Sequence, residues 1–185
     1  MAVIDHTIDL FVQRINSSDM EPFDEDEVPI FLREGDWDEH GHYKWKVRRK
    51  DLRGRITDLE KRLPSGFPPS FRSLITRYAF LPFEVGPIML YGNTGEDTSW
   101  ELTTKMFSDS FMSSFLLQRG FIQFGNPYFY NYDPVCFDST RAVRSEYPII
   151  QFDHEAILCN SKVHVVKKIS PSFLEFAEEF INGIL

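Results

Sequence analysis

The residues best suited to chemistry lie between Phe121 and Leu158. This stretch holds Asp133, Cys136, Asp138, Asp153, His154 and Glu155, with Cys159 one residue beyond. A thiol, an imidazole and a carboxylate make up a nucleophile, a base and an orienter. Cys136, His154 and Asp153 supply those types. Two carboxylates facing a cleft serve acid–base hydrolysis. Asp153 and Glu155, with one more ligand, have the oxygen donors that Mg²⁺ or Ca²⁺ takes.

The elements that must position these groups read as strands near 121–124, 128–138 and 147–158. They are rich in aromatic and β-branched residues and are separated by Gly, Asn, Pro and Ser. Side chains alternate across a strand. Adjacent Asp153 and His154 then point to opposite faces, and so do Asp133 and Asp138, five apart. That spacing separates the members of any triad. Asp153 and Glu155 share a face, but no calcium-loop template surrounds them, and no Gly-x-Ser-x-Gly elbow occurs. The expectation is a chain without enzyme activity or cofactor. A hydrolase using Asp153, His154 and Glu155 is the alternative.

Helical spacing frames these strands. Ile4, Ile8, Phe11, Val12 and Ile15 mark one face of a first helix. Ile56, Leu59 and Leu63 mark a second, and Phe71, Leu74, Ile75 and Tyr78 a third that opens on Pro68-Pro69. Val85–Tyr91 reads as a core strand. The following Gly92-Asn-Thr-Gly95 lacks the Gly-Lys-Ser/Thr of a phosphate loop. Residues 103–118 read as a helix with Phe107, Phe111, Met112, Phe115 and Leu116 on one side, closed by Gly120. A strand is expected over 162–169. Ser170-Pro171 is expected to cap a last helix lined by Phe173, Phe176, Ala177, Phe180, Ile181 and Ile184. The pattern is α+β: a mostly antiparallel sheet of five or six strands, covered on one side, with helices at both chain ends. A length of 185 residues suits a single domain over 1–185.

The charge is patterned. The net charge is −8, which disfavours nucleic acid and suits a basic protein partner. Glu21–Pro29 carries five acids in nine residues and reads as an exposed loop. Asp24, Glu25, Asp26 and Glu27 are its candidate partner contacts. Residues 44–55 carry seven cations in twelve. There Tyr43, Trp45 and Val47 alternate with Lys44, Lys46 and Arg48, as in a half-buried edge strand guarded by cations. His40 and His42 flank Gly41 but match no compact zinc spacing. No run of about 18–20 apolar residues occurs, so no membrane span is expected. The acidic start gives no sign of a secretion signal, and two cysteines read as reduced thiols of a cytoplasmic protein, with a Cys136–Cys159 bridge open as the alternative if their strands are neighbours.

Four blocks together resemble the SUKH superfamily, which includes fungal regulators of cell-wall glucan synthesis and bacterial toxin-immunity proteins. They are Ile56–Pro64 with Phe67–Phe80; Phe83–Gly92; Tyr132–Thr140 with Tyr147–Leu158; and Ile169–Ile181. Many members carry Asn-Gly after the second helix, where this chain has Tyr78-Ala-Phe-Leu-Pro. The resemblance covers a core over 56–185 and leaves 1–55 as an N-terminal helix and variable region. It implies an α+β fold, no catalytic residues, and a cytoplasmic immunity protein that neutralises a toxin, often a nuclease. The alternative it implies is a regulatory scaffold of the cell-wall regulator kind.

Overall fold

The computed structural model describes residues 2–24, 26–96, 98–99, 101–128 and 132–185. In chain order the elements are α1 (Ala2–Asn16), β1 (Phe23–Asp24), β2 (Arg33–Glu34), β3 (His42–Trp45), β4 (Arg48–Arg49), α2 (Arg53–Glu60), α3 (Pro69–Arg77), β5 (Tyr78–Ala79), β6 (Phe83–Val85) and β7 (Ile88–Leu90). They continue with α4 (Leu102–Lys105), α5 (Ser110–Leu117), β8 (Phe121–Pro127), β9 (Val135–Asp138), β10 (Ile149–Phe152), α6 (His154–Asn160), β11 (Val165–Ser170) and α7 (Phe173–Ile181). No described helix is long and apolar enough to cross a membrane.

Strands β6 to β11 form one antiparallel sheet in the order β11-β10-β9-β8-β7-β6. The class is α+β, with α1 and α7 at the chain ends as expected. The expected strand over 85–91 is instead a hairpin. Val85 pairs with Ile88 across Gly86-Pro87, and Gly86 takes φ +52°, which a glycine adopts without a Cβ clash. Gly125 is required for another reason: a Cβ there would sit 2.5 Å from the Met89 carbonyl oxygen. The helix expected over 103–118 is broken into α4 and α5. Asp109 stops it by accepting the Met112 N–H at 2.8 Å, an N-cap within the run. Phe111 is consequently exposed rather than core.

Side-chain alternation sends two sets of residues to opposite faces of the sheet. On one face Ile122, Phe124, Val135, Phe137 and Ile149 join α1, α2, α3 and α7 in a buried cluster that runs from Ile8 to Ala177. On the other, Cys136, Ile150 and Phe152 meet Met112, Phe115 and Leu116 of α5 and Ile157 of α6. The sheet is therefore covered on both faces, not one. Phe71 of α3 is the hub of the larger cluster. Its ring lies 5.0–5.4 Å from those of Phe67, Phe124, Phe137 and Phe173.

The last helix is the most readable element, with one adjustment. Its cap is Ser172, not Ser170-Pro171: Ser172 Oγ accepts the Glu175 N–H at 3.0 Å, in a Ser-x-x-Glu capping arrangement. Phe11 of α1 packs edge-on against Phe173 and Phe180 of α7. Polar contacts complete the seat of α1. Asp9 accepts hydrogen bonds from Arg77, from Tyr78 Oη at 2.7 Å and from Arg49 at 2.9 Å.

Phe71→Ala is expected to cost about 3–5 kcal/mol in urea unfolding, as for large aromatic deletions in packed cores. Val3→Ala, on an exposed residue, should stay within about 0.5 kcal/mol. Burial raises the Asp9 pKa, but the Tyr78 hydrogen bond and the Arg77 and Arg49 charges outweigh it, so the carboxyl lies below its ordinary value of 3.8. A carboxylate depressed by folding stabilises above its unfolded pKa, and that contribution is lost as pH falls through the folded one. Asp9→Asn should flatten the acid limb of the stability profile below about pH 4. An unchanged limb in chemical denaturation across pH would remove Asp9 from that role.

Candidate functional site

The chemistry-bearing residues do not sit on one alternating strand. β10 ends at Phe152, and α6 begins at His154. Asp153 is the helix N-cap, its Oδ1 accepting the Ala156 N–H at 3.0 Å. The expected opposition of Asp153 and His154 across strand faces is thus replaced by a strand-to-helix corner. Asp-His-Glu before an apolar pair carried the signal, since Asp before a helix and Glu in its first turn are start marks. Glu155 is exposed and does not share a strand face with Asp153.

Asp133, just before β9, is 4 % exposed and organises this corner. Its Oδ2 accepts from Gln151 Nε2 at 2.8 Å. Its Oδ1 accepts from the His154 N–H at 3.0 Å and lies 2.8 Å from His154 Nδ1. Asp153 Oδ2 lies 3.4 Å from His164 Nδ1. Hydrogen bonds from the Ala156 N–H, and further ones from Glu155 N–H and His164, hold the Asp153 carboxyl below its ordinary pKa despite partial burial. One donor atom each from Asp133, Asp153 and His154 falls within 4.8 Å of the others. This is the spacing from which a cation site can be built, and these are the residues that could hold one. Their present geometry spends the same atoms on hydrogen bonds that lock β9, β10 and α6 together.

The remaining candidates are dispersed. Cys136 is fully buried, and burial together with Asp138 pushes its thiol well up, away from the reactive thiolate. Cys136 and Cys159 are both free. Asp138 ends β9 and bonds the Thr140 N–H and hydroxyl, at 3.1 and 2.6 Å. Two surface cavities, of about 310 and 670 Å³, are lined by residues other than Asp133, Asp153 and His154. Glu101 is a buried carboxylate that no sequence pattern marked. Burial raises its pKa, and it bonds Thr94, with Arg55 at 3.6 Å.

The acidic segment is more ordered than a plain loop. Phe23-Asp24 pairs with Tyr43 and His42 as β1, in a three-stranded sheet of order β1-β3-β2. Asp24 lies 3.2 Å from His42 Nε2 and stays exposed; Asp26 is exposed and Glu27 half-buried. Glu25 lies outside the described residues. β3 is the central strand of this sheet, so the expected edge strand is corrected, although Trp45 and Val47 are buried and Lys44 is exposed as alternation required. Cations of 44–55 are used internally: Lys46 on Glu34, Arg49 on Asp9, Arg53 on Asp51 and Arg55 beside Glu101. His40 and His42 both donate their backbone N–H to Asp38.

Residues 19–39 hold ten of the chain's 28 acids and one cation, Arg33, a net −9; the rest of the chain sums to +1. Within that segment Ile30 is 81 % and Trp37 59 % exposed. The sequence marked the acids but not these two apolar side chains, because nothing in their type or spacing reports exposure.

Asp133→Ala should destabilise the fold, since it strands buried donors of Gln151 and His154, each worth about 1–3 kcal/mol. Amide exchange should accelerate first at the N-terminus of α6. Unchanged exchange there would mean that Asp133 does not hold the corner. No model of a known protein family and no curated protein matches this chain.

Proposed function

We propose that this chain is a non-enzymatic protein-binding module, an immunity protein that neutralises a basic toxin such as a nuclease. One observation carries the reading: the segment 19–39 concentrates a charge of −9 around exposed Trp37 and Ile30. A nuclease must present cations to bind phosphates. An acidic segment that also exposes Ile30 and Trp37 complements such a cleft. The charge speeds and orients the encounter, and the aromatic residue, once covered by the partner, carries affinity. The resemblance to immunity proteins of the SUKH kind supports the same reading. Asp24, Asp26 and Glu27 are the proposed charged contacts on the described part of the lobe, with Glu25 beside them in sequence.

The test is calorimetric titration of the chain with the protein encoded by the neighbouring gene. Nanomolar binding that weakens with salt is expected. Asp24→Lys combined with Asp26→Lys should weaken it about tenfold or more, chiefly by slowing association. Trp37→Ala should speed dissociation, with a cost above about 1 kcal/mol. Tight binding untouched by all three substitutions places the interface elsewhere.

A further inference from the structure

β11 is the open edge of the six-stranded sheet, bonded to β10 alone. Each residue from Lys162 to Lys168 is exposed. An edge strand leaves a row of backbone N–H and C=O groups for another strand to pair with. Its charge is opposite to that of the whole chain: Lys162, Lys167 and Lys168 stand in a run, Ser161–Pro171, that contains no acid. None of these lysines is paired with a carboxylate among the described residues. Val163, Val165 and Val166 are exposed between them. Beside the strand lies the cavity of about 310 Å³, walled by Arg141, Pro148, Ile150, Lys168, Ile169 and Pro171.

These features select the occupant. A second copy pairing edge to edge around Lys167 and Lys168 would set lysines opposite lysines, which is destabilising. Lys167 and Lys168 are neighbours on the strand and point to opposite faces, so an extended segment with adjacent carboxylates meets both favourably and also satisfies the backbone. We propose that β11 is a docking edge for an extended acidic segment of a partner protein. The segment adds a seventh strand, sets carboxylates against Lys167 and Lys168, and places one apolar side chain in the cavity over Pro148 and Ile150. In this mode backbone hydrogen bonds supply affinity, and the pocket and charges supply specificity. The edge belongs to a different sheet from the acidic lobe and asks for a partner of opposite sign, so the inference stands apart from the immunity reading.

The test uses the full chain and a fluorescein-labelled seven-residue peptide in which adjacent pairs of glutamates are separated by single valines, so that carboxylates face both sides of the added strand, followed by anisotropy. Saturable binding is expected, with slower amide exchange over Val165–Lys168. Lys167→Glu with Lys168→Glu, on exposed positions, should weaken it about tenfold or more while the circular dichroism is unchanged. An Asp24→Lys variant should bind the peptide at least as well as wild type. The idea is overturned by absence of saturable binding, by equal binding of a lysine–valine peptide, by indifference to the double reversal, or by protection confined to other strands.

Discussion

The fold depends on one aromatic contact set. Phe71 projects from α3 between Phe124 and Phe137 of the sheet and Phe173 of α7. Phe124 and Phe137 lie almost parallel, with centroids 3.9 Å apart, on neighbouring strands. A ring in that position binds a helix, two strands and the closing helix at once. Interiors pack at crystal-like density, so moving any one of these elements opens a void against the others. α1 joins through Phe11 against Phe173 and Phe180. The N-terminal helix is therefore part of the same interior.

Two-sided burial of the sheet shapes what the surface can do. With α1, α3 and α7 on one face and α5 and α6 on the other, the sheet faces are spent on packing. What remains for recognition is the edge, the corners and the small sheet built from β1, β2 and β3. The Asp133 network belongs to a corner. Its donors and acceptors satisfy one another, which is what a strand-to-helix junction needs when it turns beneath a buried residue.

Charge follows the same division. Lys46, Arg49 and Arg55 are committed to carboxylates elsewhere in the chain, so part of the positive stretch in sequence becomes cross-linking within the fold. The segment 19–39 still outnumbers its cations, ten acids to one, although Glu34 pairs with Lys46 and Asp24 with His42. The net −8 of the chain is thus a property of one lobe, and the lysines of β11 form a separate pole at the far sheet edge.

Periodicity and cap chemistry determined much of this from sequence alone. α1, α3 and α7 follow from apolar spacing, because a helix in contact with a core must bury one stripe. The strands of β8 to β11 follow from aromatic and β-branched runs, and the class from their order. What sequence did not decide was where short apolar runs stop. Asp109 and Asp153 act as caps only because the chain turns there, and a strand and a helix turn look alike over so few residues. The sheet's second covered face, the central place of β3 and the exposure of Trp37 and Ile30 depend on contacts between segments far apart in the chain. The same holds for Asp133, Asp153 and His154: their residue types were evident, but their meeting at one corner is a consequence of tertiary packing, which joins positions twenty residues apart without leaving a local pattern.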